Sequence, residues 1–512
     1  MNQTNHGVVP RWKGGPWWSP GALRLLRAPG LMVAILSVVL AFGFLGARGI
    51  WDPDEGRYTN VALNMLSSGD WITPRRHHEV GHWTKPPMTY WAIAGSIAMF
   101  GANAWAARLP AALAYLFCVL MVWRIAARIA PGHQATAATV YATMMLTVGA
   151  AQFITSDYLL AAFETAAMWS FVESRFGAPA QRPYWLVAMW VALAAAFLTK
   201  GPPALLPLAV AVAFDHCMPA RGGLRLFRSI GALLFALLAL PWYIAVIQGH
   251  PGLLRYFLGD EVVNRIATSE FSRHGGWFDW AWIYIPTLLL GTLPWTKYLL
   301  HWLRGLPESM RGWWRDSVLR AESARHVLVT LWLLLPLAVF CIAKSRMPLY
   351  LLPLFTPLAL IIAMEWGRQG RGLPRVRALA AWVLVLLALR FAIAFWPTHK
   401  DASQWADAIR ERTSAPLTEV IFVEDMARYG LHLHLGPRTE IEKISLEAIR
   451  QSAINPEYDD PLAHELSERE PNTLWICKER VFPNVKAKAG ALGYRVTQLG
   501  TPYKGRVFFT IE

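Results

Sequence analysis

Residues 31–58 read LMVAILSVVLAFGFLGARGIWDPDEGRY. The first part, about 31–50, is an apolar run near the roughly 20 residues that a bilayer span needs. It opens directly onto three carboxylates, Asp52, Asp54 and Glu55. The same alternation continues outward along the chain. Further apolar runs fall at about 105–129, 134–153, 159–174, 184–199, 202–217, 229–247, 281–299, 326–343, 349–364 and 378–396. The expected fold is therefore an all-α polytopic membrane bundle of about 11 spans. Composition agrees: 55% of the 512 residues are hydrophobic and only 16% charged, against about a quarter charged in soluble domains.

A formal charge of +15 first suggests a nucleic-acid partner. The positions of the cations exclude it, because they collect in short segments between apolar runs, as cytoplasmic loops do. Arg11, Lys13, Arg24 and Arg27 precede the first run, which puts the N-terminus inside as an uncleaved basic tail. With alternating spans, Arg124/Arg128, Arg175/Arg182, Arg221/Arg225/Arg228, Arg304 to Arg325 and Arg368 to Arg377 all fall on that same side. The expected setting is a bacterial inner membrane with a cytoplasmic N-terminus.

Three long elements remain for the outer face: about 51–104, about 248–280, and the polar tail 397–512. In the first, Tyr58, Val61, Ala62, Met65 and Leu66 recur at helical spacing, predicting a short amphipathic helix along the interface. A second helix is expected to begin at Pro86. The tail reads as a small α/β periplasmic domain: SQWADAIRER has helical periodicity, EVIFVED reads as a buried strand and RVFFTIE as a closing strand. Cys118, Cys217, Cys341 and Cys477 are scattered and have neither disulfide nor metal-ligand spacing.

Three places share one construction. Lys85-Pro86-Pro87, Lys200-Gly201-Pro202-Pro203 and Arg346-Met347-Pro348 each set a cation just before proline at the start of an apolar run. Proline suits the first helical turn, so each cation stands beside a helix N-terminus that already attracts anions. On the alternating topology all three ends open outward, against the positive-inside bias, and a membrane-surface phosphate is the expected guest. The competing reading is that they snorkel to lipid headgroups. Carboxylates gather on the same side. Asp157 begins a span and Glu164 lies two turns deeper on its face. A carboxylate beside a phosphate-binding cation suits a general base, whereas Asp52 and Asp54 also suit helix capping. Glu164 reads as a packed interior residue.

His78-Glu79-Val80-Gly81-His82 fits H-E-x-x-H, which in zinc proteases needs both histidines on one face of a stable helix. Here the segment follows Thr73-Pro74 and contains Gly81, so a turn or short hairpin is expected and the protease reading fails.

DPDEGRYTNVALNMLSSGDWITP, HWTKPPMTYW and FGANAWAARLP, followed by ITSDYLLAAF, FLTKGPPALLP, DEVVNRIATSEFSRHGGWFDWAWIYIP and SRMPLYLLPL, resemble the 4-amino-4-deoxy-L-arabinose lipid A transferases and the related protein mannosyltransferases. These are polyprenyl-phosphate-sugar glycosyltransferases of the GT-C class. The resemblance implies a membrane bundle, residues 1–396, with interfacial helices capping a cavity, plus an outer C-terminal domain. It implies a catalytic role for Asp54, with Glu55, Arg57 and Tyr58 completing that motif, and a second acidic position at Asp157. Lys85 matches the lysine that meets the carrier phosphate, Lys200 matches the lysine of the TKG motif, and Arg346 and Tyr350 match a motif before a late span. Glu261, Arg265 and His274 fall in the matching stretch of the later outer loop. Two departures stand out: Thr84 replaces an acidic residue of many relatives, and the chain is expected to be short for an aminoarabinose transferase, mostly after residue 396.

The expected function is transfer of a sugar from an undecaprenyl-type phosphate carrier to lipid A or another surface glycolipid at the periplasmic face. No cofactor and no metal ligand is expected, although a divalent metal is left open. A protein hydroxyl as acceptor and a non-catalytic carrier-lipid flippase are the alternatives.

Overall fold

The computed structural model describes residues 28–77, 80–218, 226–259, 276, 278–468 and 470–512. Each apolar run contains helix. Six helices are long and apolar enough to cross a membrane: Ala104–Ile129, Pro179–Lys200, Ile230–Gly249, Ala324–Ile342, Pro348–Arg368 and Val376–Phe395. Shorter apolar helices are Pro29–Phe42, Met88–Phe100 and Pro202–Cys217.

Three runs depart from a single continuous span, and one of them, 134–153, breaks at Met144 into Gln134–Thr143 and Met145–Ala150. The first helix, Ala28–Phe42, stops short of residue 50; Phe44 adopts a left-handed φ of 59°, and 43–50 winds back as turns that carry Arg48 inward. The run 281–299 is two helices. Asp279–Gly291 ends at a break containing Pro294, and the chain restarts as the amphipathic helix Thr296–Arg315. Proline cannot donate to a continuing helical ladder, and hydropathy alone did not register that interruption.

Small residues let the bundle helices approach closely. Ala106, Ala107, Ala111 and Ala112 on Ala104–Ile129 are all buried, and that helix packs against Asp157–Phe176. Three tyrosines settle their hydroxyls inside this core. Tyr115 donates to the Ala142 carbonyl at 2.8 Å and Tyr158 to that of Thr147 at 3.0 Å, with Tyr141 3.4 Å from Tyr158.

The polar tail forms a five-stranded sheet. Its strands are β1 (Glu419–Val423), β2 (Glu440–Ile444), β3 (Thr473–Lys478), β4 (Val496–Gln498) and β5 (Arg506–Ile511), in the order β2-β1-β3-β5-β4. β1 pairs in parallel with β2 and β3, whereas β5 runs antiparallel to β3 and β4. Alternate side chains of a strand face opposite ways, so Val420 and Phe422 join Trp405 and Phe508 on one side while Ile421 and Val423 join Trp475 and Phe509 on the other. Both faces are covered, which is why EVIFV is apolar throughout.

The sheet unit is sewn to the first long loop. Asp52 N–H donates to the Lys400 carbonyl and Ala402 N–H to that of Ile50, each at 2.9 Å. Asp52 does not cap the following helix. Its Oδ1 instead accepts the Gly430 amide at 3.0 Å, while Pro53 occupies the cap position of helix Asp54–Ser68. Gly56 permits that approach, since a Cβ there would stand 2.6 Å from the Gly430 nitrogen and collide with the Asp52 carboxylate.

Candidate active site

Helix Asp54–Ser68 buries Val61, Ala62 and Met65, and helix Met88–Phe100 follows Pro86-Pro87 as the proline signal predicts. Between them the chain turns back as a short hairpin, with Arg75 bridging Gly81 and Arg76 N–H donating to Val80 O at 2.9 Å. His78 and Glu79 lie outside the described residues.

The hairpin, the first turn of Asp54–Ser68, the start of helix Asp157–Phe176, the end of Arg182–Lys200 and segment 345–350 enclose a cavity of about 200 Å³. Seven of the predicted residues line it: Asp54, Arg57, Tyr58, Lys85, Asp157, Lys200 and Tyr350. Asp54 and Arg57, one helical turn apart, form an ion pair at 2.5 Å and are partly exposed. Asp157 and Lys200 form a second, buried pair. Lys200 Nζ sits 4.2 Å from the Tyr350 ring centroid, a cation–π arrangement that holds the ammonium in place. Tyr58 reaches the Ser156 hydroxyl at 3.4 Å. Lys85 donates to the Thr84 carbonyl at 2.6 Å, and the Thr84 hydroxyl meets His82 Nε2 at 2.8 Å. Burial, and then Arg57, Arg76 and Lys85, push the His82 imidazole well below its ordinary pKa. A neutral ring among three cations therefore forms part of the wall.

Glu55 and Arg346 are placed differently from the expected contact residues. Arg346 is buried and donates to the carbonyls of Gly276 at 2.8 Å and Cys341 at 3.1 Å; its neighbours Ser345 and Met347 line the cavity while it does not. Glu55 is enclosed behind the cavity. Its carboxylate accepts Arg48 at 2.6 and 3.0 Å, Arg108 at 2.9 and 3.1 Å, and the amides of Trp51 at 2.9 Å and Ile154 at 3.1 Å. Burial raises its pKa, but the charges and hydrogen bonds of Arg108 and Arg48 outweigh that cost and hold it down to about 2. Glu261, Arg265 and His274 lie outside the described residues. Glu164, two turns further along the Asp157–Phe176 helix, is buried, as expected of an interior residue.

Reading the sequence missed Arg48 and Arg108, and it missed His82, Thr84, Ser156 and Ser345 as lining residues. Arg108 carried a signal, being a charge within an apolar run. Ser156 carried another, since it sits beside Asp157.

Two groups of side chains have metal-compatible spacing. His77, Glu442 and Asp459, and likewise Glu419, Glu442 and Glu465, present ligand atoms within 4.8 Å of one another. The first joins the hairpin to the sheet unit and the second lies within the sheet unit; neither lines the cavity. Arg76 already supplies a cation to Asp459, Nε donating to Oδ1 at 2.7 Å.

Residues 84–247 match the family described as dolichyl-phosphate-mannose-protein mannosyltransferase. The chain is 31% identical over 384 residues to an undecaprenyl phosphate-alpha-4-amino-4-deoxy-L-arabinose arabinosyl transferase 1 of Pseudomonas fluorescens strain Pf0-1, covering 72% of this chain and 64% of that protein. Against the enzyme of the same description from strain Pf-5 it is 31% identical over 390 residues, covering 72% of this chain and 68% of that one. The crystal structure of ArnT from Cupriavidus metallidurans bound to undecaprenyl phosphate superposes with a TM-score of 0.73 at 20% identity, covering 94% of this chain and 98% of that chain. This last likeness shows a shared fold.

Proposed function

Because the chain belongs to the family of the undecaprenyl phosphate-alpha-4-amino-4-deoxy-L-arabinose arabinosyl transferases, we propose that it transfers a sugar from an undecaprenyl-phosphate carrier to lipid A or another surface glycolipid. The observation that carries this reading is the cavity in which two carboxylate–cation pairs and Lys85 converge. Transfer happens at the periplasmic face of the bacterial inner membrane. In this reading the N-terminus is cytoplasmic, residues 1–396 form the membrane domain, residues 397–512 lie in the periplasm, and the crossings reach about eleven when Pro29–Phe42, Pro202–Cys217, Asp157–Phe176, Asp279–Gly291 and the broken helix over 134–150 are added to the six long helices.

In the reaction the bond between the sugar anomeric carbon and the carrier phosphate oxygen breaks as the acceptor oxygen attacks the opposite face, inverting that carbon. Charge builds on the departing phosphate, and donors already aimed at it stabilise the transition state. Lys85, Lys200 and Arg57 supply that charge. Asp157 holds Lys200 from one side and Tyr350 from the other. Asp54 orients the sugar or takes a proton from the acceptor, a task that lapses when the acceptor is an already anionic lipid A phosphate. Arg346 acts indirectly by fixing the backbone of segment 345–350. No metal takes part in this scheme.

The match of residues 84–247 to the mannosyltransferase family favours a second reading with a protein hydroxyl as acceptor. Mass spectrometry of lipid A and membrane glycolipids distinguishes these, using cells that hold the wild-type protein, the Asp54→Asn variant or neither. A sugar-sized mass present only with wild type is the expected result. Unchanged lipids in all three would sink the lipid A reading, and the same extracts would then be searched for glycosylated protein; carrier transport without chemistry predicts neither product.

A further inference from the structure

The helix that interrupts the predicted span 281–299 has three distinct sides. Tyr298, Leu299 and Leu306 are buried against the bundle, with the Tyr298 ring centroid 4.9 Å from that of Trp366 and the rings tilted by 51°. Leu300, Leu303, Met310 and Trp314 form a second side, exposed at 41%, 41%, 47% and 87%. Lys297, Arg304, Arg311 and Arg315 form the third. They are separated by seven, seven and four residues, so at 100° per residue they fall within about 40° of one another. All four are exposed, and among the described residues none forms an ion pair.

Its location follows from the long helices. Phe355–Arg368 leads from beside Tyr350 to Trp366 and Arg368, and Ala104–Ile129 leads from Arg108 to Ile129. Trp366 and Ile129 thus mark the end of the bundle remote from the cavity, and Thr296–Arg315 lies there. At 20 residues it is as long as a span, yet its charged stripe is incompatible with crossing one. Against its inner side is a second cavity of about 390 Å³, lined among others by Trp302, Trp313, His133, His326 and Arg368. The carboxylate in that lining, Glu365, is already taken by Arg368 at 2.9 Å and His301 at 3.2 Å.

A water-soluble anion would satisfy the basic stripe and leave the apolar side in water. An apolar surface would do the reverse. Only an amphiphile with a negative headgroup satisfies both, which is the pattern of an in-plane interfacial helix. We propose that Thr296–Arg315 lies in the membrane plane at the end remote from the sugar-transfer site, with Lys297, Arg304, Arg311 and Arg315 binding the headgroups of anionic phospholipids. Leu303, Met310 and Trp314 enter the acyl region, and the stripe lies at the level of the phosphates. The site is independent of which sugar or acceptor the enzyme uses.

The test uses the full chain in nanodiscs of equal phosphatidylglycerol and phosphatidylcholine, with retained lipids counted by native mass spectrometry. Wild type is expected to retain phosphatidylglycerol at least about tenfold over phosphatidylcholine, given the size of attraction per basic residue near an anionic surface. The variant with all four cations changed to Gln loses that preference, whereas exchanging Lys for Arg and Arg for Lys at the same positions keeps it. Raising salt on wild type alone lowers the preference, which reads the site even where the Gln variant does not fold. No preference in wild type, the same preference in a folded Gln variant, or a preference indifferent to salt would each overturn the proposal.

Discussion

Replacing Glu55 with Gln removes one negative charge from between two buried arginines and leaves its shape almost unchanged. The fold holds the carboxyl at about 2 rather than 4.5, a preference for the ionised form of about 3 kcal/mol. Deleting one partner of a buried ion pair costs a similar amount, about 3–5 kcal/mol, because the remaining charge is stranded. Here two guanidiniums are stranded, one of them on a bundle helix. With an unfolding entropy of about 2.1 cal/mol/K per residue, a cooperative unit the size of this chain loses about 3 °C, and a smaller unit loses more. Tryptophan fluorescence melting in detergent at neutral pH reads this directly. A second arm varies pH. A depressed carboxyl contributes stability that is present above its unfolded pKa and lost as pH falls toward its folded one. Wild type should therefore lose this contribution between about pH 4.5 and pH 2, and the variant should show no such loss. A Glu55→Gln protein that melts with wild type at neutral pH would refute the claim that this carboxylate organises the loop.

Two further outcomes are expected. Lys200→Met should lower kcat/KM for sugar transfer about 100-fold or more, as loss of a transition-state donor does, whereas Asp157→Asn should be milder because the Tyr350 ring still restrains Lys200; equal losses would argue for a direct role of Asp157. Asp52 behaves oppositely to Glu55, since burial raises its pKa from 3.8 to about 7. Its ionisation opposes folding, so the melting temperature should fall as pH rises from about 4 through 7, and Asp52→Asn should flatten that slope; identical pH profiles for the two proteins would remove Asp52 from the account.

Legibility in the sequence followed the range of the forces involved. Apolar runs reported the helices because burial in lipid is a property of each segment alone. EVIFV and RVFFTI reported their strands by the same local logic. The cation–proline pattern located Lys85 and Lys200, both of which the fold brings to one cavity, yet the third copy, Arg346, turned to backbone carbonyls instead. Glu55 looked like a binding residue because its motif neighbours Asp54, Arg57 and Tyr58 line the cavity. Its partner Arg108 lies 53 residues away, and nothing local pairs them. The break at 292–295 escaped a hydropathy reading because the flanking residues remain apolar. The charge stripe beyond it was visible as an inside-loop Arg cluster, while its alignment on one face emerged only once the helix boundaries were known.

The clamp on the hairpin has a consequence for how the protein is made. Trp83, two residues before Lys85, donates its amide to Asn455 at 2.8 Å, and Arg76 reaches Asp459 and the Pro456 carbonyl. These partners are separated by 372 to 383 residues. A ribosome synthesises the bundle and both paired carboxylates long before it reaches residue 455. Until then the Lys85 wall lacks its outer brace. The site is therefore completed only after residues 455–459 have emerged, and a product truncated before them lacks this support for Lys85.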